Sequence, residues 1–276
     1  MRIFLFDKFL IRHLAFLYLE IKSAIFTNYS VVGKNKFLKI IYLRLIVNYI
    51  ESFNFYLKKF FKKKNKINIY NKNYTIQDHG IQFLEKVNIK SLKFIKFNDR
   101  KKSSDISIHN EIDFINAEKF AKKVGFHRLV ADYLKTTECQ LFVDSWNTYS
   151  YKNDEQLKTG LWHRDRDGIK LVKFFIYLTD VNSNCGGHFF VIGSHNIKPL
   201  RFVPQFRYKD MNIKKYFGQD KIIEVLGEAG TCFMEDTTGF HRGSRPLENN
   251  IRSILSFTYF IGPMVYEQNC GKINLK

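Results

Sequence analysis

Turn-forming residues divide this chain in two. Of 15 glycines, only Gly33, Gly80 and Gly125 fall within residues 1–150, and all four prolines (Pro199, Pro204, Pro246, Pro263) come after residue 198. Glycine reaches backbone conformations closed to other residues, and proline removes a donor and fixes φ, so both punctuate regular structure. A front half poor in them predicts helices, and a back half rich in them predicts strands joined by turns. The expected strands are Gln140–Val143, Lys173–Leu178, His188–Ile192, Thr231–Met234 and Ser253–Ile261. Short strands with turns between them predict a sandwich or barrel, not a βαβ array. Ahead of them, Ile112, Ile115, Phe120, Val124, Leu129, Tyr133 and Leu134 give residues 111–135 helical spacing. Residues 67–110 are mixed and polar, with strand-like pieces such as Leu92 to Phe97.

Composition narrows the class. Hydrophobic residues make up 45% and aromatics 16% of the 276 residues, enough for a real core, so global disorder is excluded. No run of 18 apolar residues lacks a charge, which argues against a conventional transmembrane helix. Cys139, Cys185, Cys232 and Cys270 stand far apart with no Cys-x-x-Cys pair, so neither a disulfide scaffold nor a zinc ribbon is expected, and the reducing cytoplasm is the simplest setting.

Charge is uneven. The chain carries a formal +19, and residues 1–66, with 14 basic and 3 acidic residues, hold +11 of it. This segment reads as a basic, apolar helical extension, leaving 67–276 as the main domain. Its helices are too charged to span a bilayer, and they can dock on the main domain, pair with another chain or lie on an anionic membrane. Asp7, Lys8 and Arg12 interrupt the first apolar stretch, so no signal peptide is expected there. No nucleic-acid motif accompanies the charge, and no nucleic-acid partner is expected. Lys, Asn, Ile and Phe are abundant throughout, which an AT-rich genome also produces.

The chemistry concentrates in Leu161-Trp162-His163-Arg164-Asp165. His-x-Asp on an extended segment turns both side chains to one face, where an imidazole nitrogen and a carboxylate oxygen can meet one metal ion. Such a pair is common by chance, but His241 follows 76 residues later and Arg252 lies 11 residues beyond it, in a strand-like run. Two His and one carboxylate make the facial triad of non-haem Fe(II) oxygenases, which leaves coordination positions for a 2-oxo acid and O2. A planar guanidinium pairs bidentately with the far carboxylate of 2-oxoglutarate. The strand carrying His241 is expected to turn back through Pro246 to Asn250 and pair with the strand of Arg252.

Between these pieces run Tyr177-Leu178-Thr179-Asp180, Cys185-Gly186-Gly187 and Gly193-Ser194-His195, and His241-Arg242-Gly243 closes the set. In this order and spacing, residues 110–262 resemble the phytanoyl-CoA dioxygenase family of Fe(II)/2-oxoglutarate oxygenases. The resemblance implies an α+β fold, mainly β with flanking helices, around a double-stranded β-helix of the jelly-roll and cupin type. It implies His163, Asp165 and His241 as iron ligands and Arg252 as the anchor of 2-oxoglutarate. The implied reaction is hydroxylation of a C–H bond in a small-molecule, acyl or sugar-containing substrate, with release of succinate and CO2. Halogenating relatives carry a small residue at the place of Asp165, so the carboxylate here implies hydroxylation. Two positions depart from the family pattern. Ile192 replaces a proline, and Gly243 replaces a hydroxylated residue near the co-substrate.

Other residues are weaker candidates. Asp167 can compete with Asp165. Phe175 or Tyr177 can wall the co-substrate pocket or simply pack. Trp162 fits a substrate mouth or a core. His188 reads as packed or pocket-facing, and His195 as a loop support. His79, His109 and His127 have no partners at metal spacing. Two other functions compete: a cupin-like metalloenzyme that does not use 2-oxoglutarate, for which Arg252 has no evident task, and a basic peripheral-membrane protein with a decayed site. The sequence does not specify oligomeric state.

Overall fold

The computed structural model describes residues 74–98, 107–150, 160–165, 167–168, 170–197, 207–247, 249–262 and 266–276. The helical extension expected over residues 1–66, and with it any membrane contact, lies outside the described residues.

Two antiparallel sheets carry the fold. The larger runs in the order β1 (Ile81–Leu84), β9 (Cys232–Glu235), β6 (Lys170–Tyr177), β11 (Ile251–Ile261), β5 (Glu138–Tyr149) and β12 (Cys270–Asn274), with β3 (Ser107–His109) also on β5. The smaller runs β10 (His241–Gly243), β7 (His188–Val191), β8 (Ile222–Val225). A ribbon of β2 (Ile95–Lys96) and β4 (Glu111–Ile112) stands apart. From β6 the chain crosses to β7 and β8, returns to β9, crosses to β10 and returns to β11. This winding between two facing sheets is a double-stranded β-helix, as expected.

Alternation along the strands builds two cores. In β6, Val172, Phe174 and Ile176 face one way, and Lys173, Phe175 and Tyr177 face the other. The first set joins Leu255, Phe257 and Tyr259 of β11 under the helices α2 (Phe114–Lys123) and α3 (Phe126–Leu134). The second set faces the small sheet, where Phe175, Tyr177, Phe233 and Ile254 meet Phe190 and Val225. Arg252, Ile254, Ser256 and Thr258 of β11 share that inner face, because they stand at even spacing. The inner face therefore carries both apolar packing and every chemically active group of the large sheet.

The helical spacing of residues 111–135 resolves into two helices. Asp113 caps α2, its carboxylate accepting from Asn116 N at 3.1 Å. Gly125, at φ 85°, stops it and opens α3; that left-handed backbone is strained for any residue with a Cβ. Phe126 then stacks on Phe174, with ring centroids 4.0 Å apart. Two elements were not legible. β1, which follows the one-turn helix α1 (Ile76–His79), is only four residues long, and it joins the large sheet at an edge beside β9. The helix α4 (Asp210–Phe217) buries only Ile213, so it carries no apolar stripe to read. The described residues ahead of 110 are thus more strand than helix. Among the described residues no helix is long and apolar enough to cross a membrane, and all four cysteines are free.

Phe257 is fully buried beneath the helices, with Phe120 and Phe126 centroids at 6.1 and 5.6 Å. Phe257→Ala should cost about 3–5 kcal/mol, because a cavity of that shape cannot fully collapse. Urea denaturation checks this, and a loss below about 1 kcal/mol would contradict the packing described.

Candidate metal centre

The segment of His163 lies antiparallel to β10 and pairs with it directly. His163 N donates to His241 O, and His241 N donates to His163 O, each at 2.9 Å. Asp165 N donates to Thr237 O at 2.8 Å, so the segment stays extended for two more residues and the period of two brings Asp165 to the same side. The result is a cluster in which one ligand atom of each of His163, Asp165 and His241 lies within 4.8 Å of the others. The Nε2 atoms stand 4.0 Å (His163) and 3.7 Å (His241) from the Asp165 carboxylate oxygens.

Both imidazoles are oriented by their own backbone. Nδ1–H of His163 donates to Leu161 O at 2.9 Å, and Nδ1–H of His241 donates to Gly239 O at 3.1 Å. These bonds fix the tautomer and leave each Nε2 lone pair toward Asp165, as outer partners of metal-bound histidines do. Burial, and for His163 the neighbouring His241, hold both imidazoles below their ordinary pKa, hence in the neutral form that ligates. Burial opposes the charge on Asp165, but the Lys173 ammonium outweighs it and holds the carboxyl well below the usual range. Lys173 Nζ lies 2.7 Å from Asp165 Oδ2 and 3.7 Å from Asp167 Oδ2. The first contact is ionic and poorly aligned, so Oδ2 is buried without a hydrogen bond. Two neutral Nε2 atoms and an ionised carboxylate with an unspent oxygen suit Fe(II) with 2-oxoglutarate.

Beneath the cluster sits a buried pair. His188 Nε2 and Glu235 Oε2 are 2.7 Å apart, and the His188 and His241 rings stack at 5.7 Å. Burial drives His188 down to about 3 and Glu235 up to about 8. Both directions agree on a neutral pair in which the Glu235 carboxylic acid donates to the imidazole. The ordinary values are 6.5 for His and 4.5 for Glu. Between them the folded pair holds one proton, on Glu235, and the unfolded chain also holds one, on His188, so the pair's contribution is flat with pH. Above 6.5 the unfolded chain has released its proton while folded Glu235 keeps its own to about 8, so stability falls as pH rises through that window. Below 4.5 the unfolded chain takes a second proton that folded His188 refuses until about 3, so stability falls there too. Glu235→Gln keeps a donor for His188 but cannot ionise, and should abolish the alkaline limb. Urea denaturation of chelator-treated protein across pH 6–9 tests this; an alkaline loss equal to that of the parent would mean the pair is ionic.

Arg252 is 6% exposed and points into the interior of the double-stranded β-helix. The expected hairpin between its strand and that of His241 does not form. β10 pairs with β7, whereas β11 pairs with β5 and β6. The connection crosses between sheets instead, held by Ser244 N to Gly187 O (2.9 Å) and Leu247 N to Asn184 O (2.7 Å). Nη1 of Arg252 donates to Gly186 O and, at 3.3 Å, to Gly187 O. Gly243 makes room for the guanidinium, since a Cβ there would stand 2.7 Å from Nη2.

The weaker candidates separate cleanly. Asp167 turns to Lys173 and to the Tyr266 hydroxyl and stays out of the cluster. Trp162 is a core residue; its Nε1 donates to Asp210 at 2.7 Å, in a cluster with Val191 and Phe240. Tyr177 donates to Val225 O at 2.7 Å, and Phe175 packs on His188. His195 contacts Gln77 O at 3.1 Å, and its neighbour Ser194 accepts from Phe240 N at 2.7 Å, bracing the strand of His241. Lys173 and Glu235 were the site residues missed; His188, read as packed or pocket-facing, is buried and paired with Glu235. The available signal was Lys173 inside β6 and Glu235 in β9, each among apolar neighbours and too costly to bury without a partner.

No curated protein matches the sequence. Among solved structures, the carbocyclase SnoK from nogalamycin biosynthesis, a non-haem α-ketoglutarate-dependent enzyme, is similar at 10% identity and a TM-score of 0.48, covering 72% of this chain and 94% of its own. AviO1 from Streptomyces viridochromogenes Tue57 is similar at 18% identity and 0.47, covering 68% and 94%. HygX from Streptomyces hygroscopicus, with nickel, 2-oxoglutarate and hygromycin B bound, is similar at 16% and 0.46, covering 70% and 86%. The family model for phytanoyl-CoA dioxygenase matches residues 87–253, a span that holds His163, Asp165, His241 and Arg252, and the chain belongs to that family.

Proposed function

We propose that this protein hydroxylates a C–H bond of a small molecule, with one Fe(II) held by His163, Asp165 and His241 and with Arg252 holding the distal carboxylate of 2-oxoglutarate. The observation that carries this reading is the convergence of two imidazole Nε2 atoms and one carboxylate within 4.8 Å, both imidazoles tied through Nδ1. Family membership supports the oxygenase class. Fe(II) and 2-oxoglutarate, when bound, supply the oxidising chemistry: O2 is consumed, succinate and CO2 leave, and one oxygen atom goes to substrate.

The chain's own residues orient and restrict that chemistry. His163 and His241 give two rigid neutral donors, and Asp165 gives the anion that completes one face. Lys173 pairs ionically with Oδ2 of Asp165 and would keep the carboxylate ionised for the metal. Arg252 sets the far end of the co-substrate. Asp165 also occupies the position a halide would need, which supports hydroxylation. Anaerobic titration of the full chain with Fe(II) and then 2-oxoglutarate should develop a weak visible charge-transfer band that saturates at one equivalent per chain. No band, with iron bound, would overturn the 2-oxoglutarate assignment.

A further inference from the structure

The segment of His163 is the middle member of a three-part ribbon. On one side Trp162 pairs antiparallel with Tyr208, Trp162 N donating to Tyr208 O at 3.0 Å and Tyr208 N to Trp162 O at 2.8 Å; on the other side His163 pairs with His241. One step along from Trp162 and Tyr208, the antiparallel register sets His163 opposite Arg207. Residues opposite one another in such a pair turn to the same face, with Cβ atoms about 4.5–5.5 Å apart. Arg207, His163 and His241 therefore form one row on the cluster face. Trp162 and Tyr208 turn to the other face, where they pack with Phe240.

Arg207 is half-buried, and its Nη1 is buried without a hydrogen bond. Among the described residues, the carboxylate whose charge reaches it is Asp165, which already pairs with Lys173 at 2.7 Å. Arg242, by contrast, has Asp210 at 3.3 Å and lies over the Phe189 ring.

Charge on the described side chains of the site does not balance. Asp165 and Asp167 are negative, Lys173, Arg252 and Arg207 are positive, and burial keeps Glu235 protonated. Fe(II) and 2-oxoglutarate bring equal and opposite charge, so one positive charge remains when both are bound. Among the described residues the cluster is also most open on this side: the His163 and Asp165 side chains are 13% and 17% exposed, against 6% for His241.

We propose that Arg207 is a specificity-determining residue that pairs with a carboxylate of the substrate and holds it beside the metal. This rests on the oxygenase reading above and names the group that its substrate presents to the site. A guanidinium meets a carboxylate through two parallel hydrogen bonds, and such a pair satisfies the idle Nη1. One negative charge offsets the one positive charge left over. A phosphate dianion overshoots it, and an uncharged amide leaves it buried without a counter-ion.

The test is calorimetric binding to the full chain with Fe(II) and 2-oxoglutarate present and oxygen excluded. The probes are butyrate, phenylacetate and N-acetylglycine, each set against its own primary amide, and phenyl phosphate. At least one acid should bind about tenfold or more tighter than its amide and than phenyl phosphate, as a charge-assisted pair predicts. Arg207→Leu should remove that preference and Arg207→Lys should keep part of it, because the charge stays and the planar fork is lost. Iron stoichiometry and 2-oxoglutarate affinity should stay those of the parent in both. No acid preferred over its amide, phenyl phosphate bound more tightly than every acid, or a preference intact in Arg207→Leu overturns the proposal. So does a loss of 2-oxoglutarate affinity of about tenfold in Arg207→Leu, which would give Arg207 to the metal-side carboxylate of the co-substrate instead. The iron and 2-oxoglutarate titration is a separate readout. An Arg207-dependent preference in a chain giving no charge-transfer band keeps the carboxylate site and removes the oxygenase reading; a band without the preference does the reverse.

Discussion

Alanine in place of either His163 or His241 should abolish stoichiometric Fe(II) binding and all turnover. The cluster offers three ligand atoms within 4.8 Å, and each imidazole is held by a separate backbone carbonyl. Removing one ring leaves two protein ligands, too few to compete with water for a labile divalent ion. Loss of an outer partner of a metal ligand already costs about 10–100-fold in metal affinity, so loss of a ligand should exceed a hundredfold. The fold should survive, because the His163–His241 pairing is made by backbone atoms and remains in the variant. Metal content after gel filtration and the far-ultraviolet spectrum separate the two effects. Full iron occupancy in both variants would show that the metal lies elsewhere.

The reach of sequence reasoning here follows from the range of each interaction. His163 and Asp165 are two residues apart on extended chain, and period two alone puts them on one face. The strands of the inner and outer cores were legible for a related reason: β6 and β11 are long apolar runs, and both of their faces are buried. The sheet to which each strand belongs was not legible. Residues 244–250 look like a hairpin turn, yet Ser244 and Leu247 pair through their backbone with Gly187 and Asn184, and the next strand lies in the other sheet. Nothing local distinguishes a turn that reverses on its own sheet from one that crosses.

The supporting residues show the same limit. Lys173 was read as part of an apolar strand, and its function depends on Asp165 and Asp167, which lie before it in a turn. Glu235 lies in a short apolar strand, and its partner, His188, comes from the other sheet. A buried charge announces that a partner exists; it does not say which one. Gly243 illustrates the converse. As a departure from the family pattern it looked like a lost co-substrate contact. In the structure it leaves the space that the Arg252 guanidinium fills.

That space matters for the second large effect: Arg252→Ala should weaken 2-oxoglutarate binding by about a hundredfold or more while leaving iron binding nearly unchanged. Arg252 is 6% exposed, and burial lowers its pKa, so the site disfavours a lone cation. Two carbonyl oxygens accept from Nη1, whereas Nε is buried with no hydrogen bond. Among the described residues no carboxylate pairs with it. Glu235 is bonded to His188, and Asp236 to Tyr133 and Thr238. A buried guanidinium with an unspent donor and no counter-anion is matched to an incoming carboxylate. Deleting one partner of such a buried pair costs about 3–5 kcal/mol, and each 1.4 kcal/mol is about tenfold, which sets the expected loss. Arg252→Lys should recover only part, because an ammonium lacks the planar fork. Gly243→Ala should act in the same direction without touching the charge, since its Cβ would stand 2.7 Å from Nη2 and displace the guanidinium. The measurement is 2-oxoglutarate affinity with iron present and oxygen excluded. If Arg252→Ala binds as tightly as the parent, Arg252 is a structural cation satisfied by the Gly186 and Gly187 carbonyls, and the distal carboxylate of the co-substrate is held elsewhere.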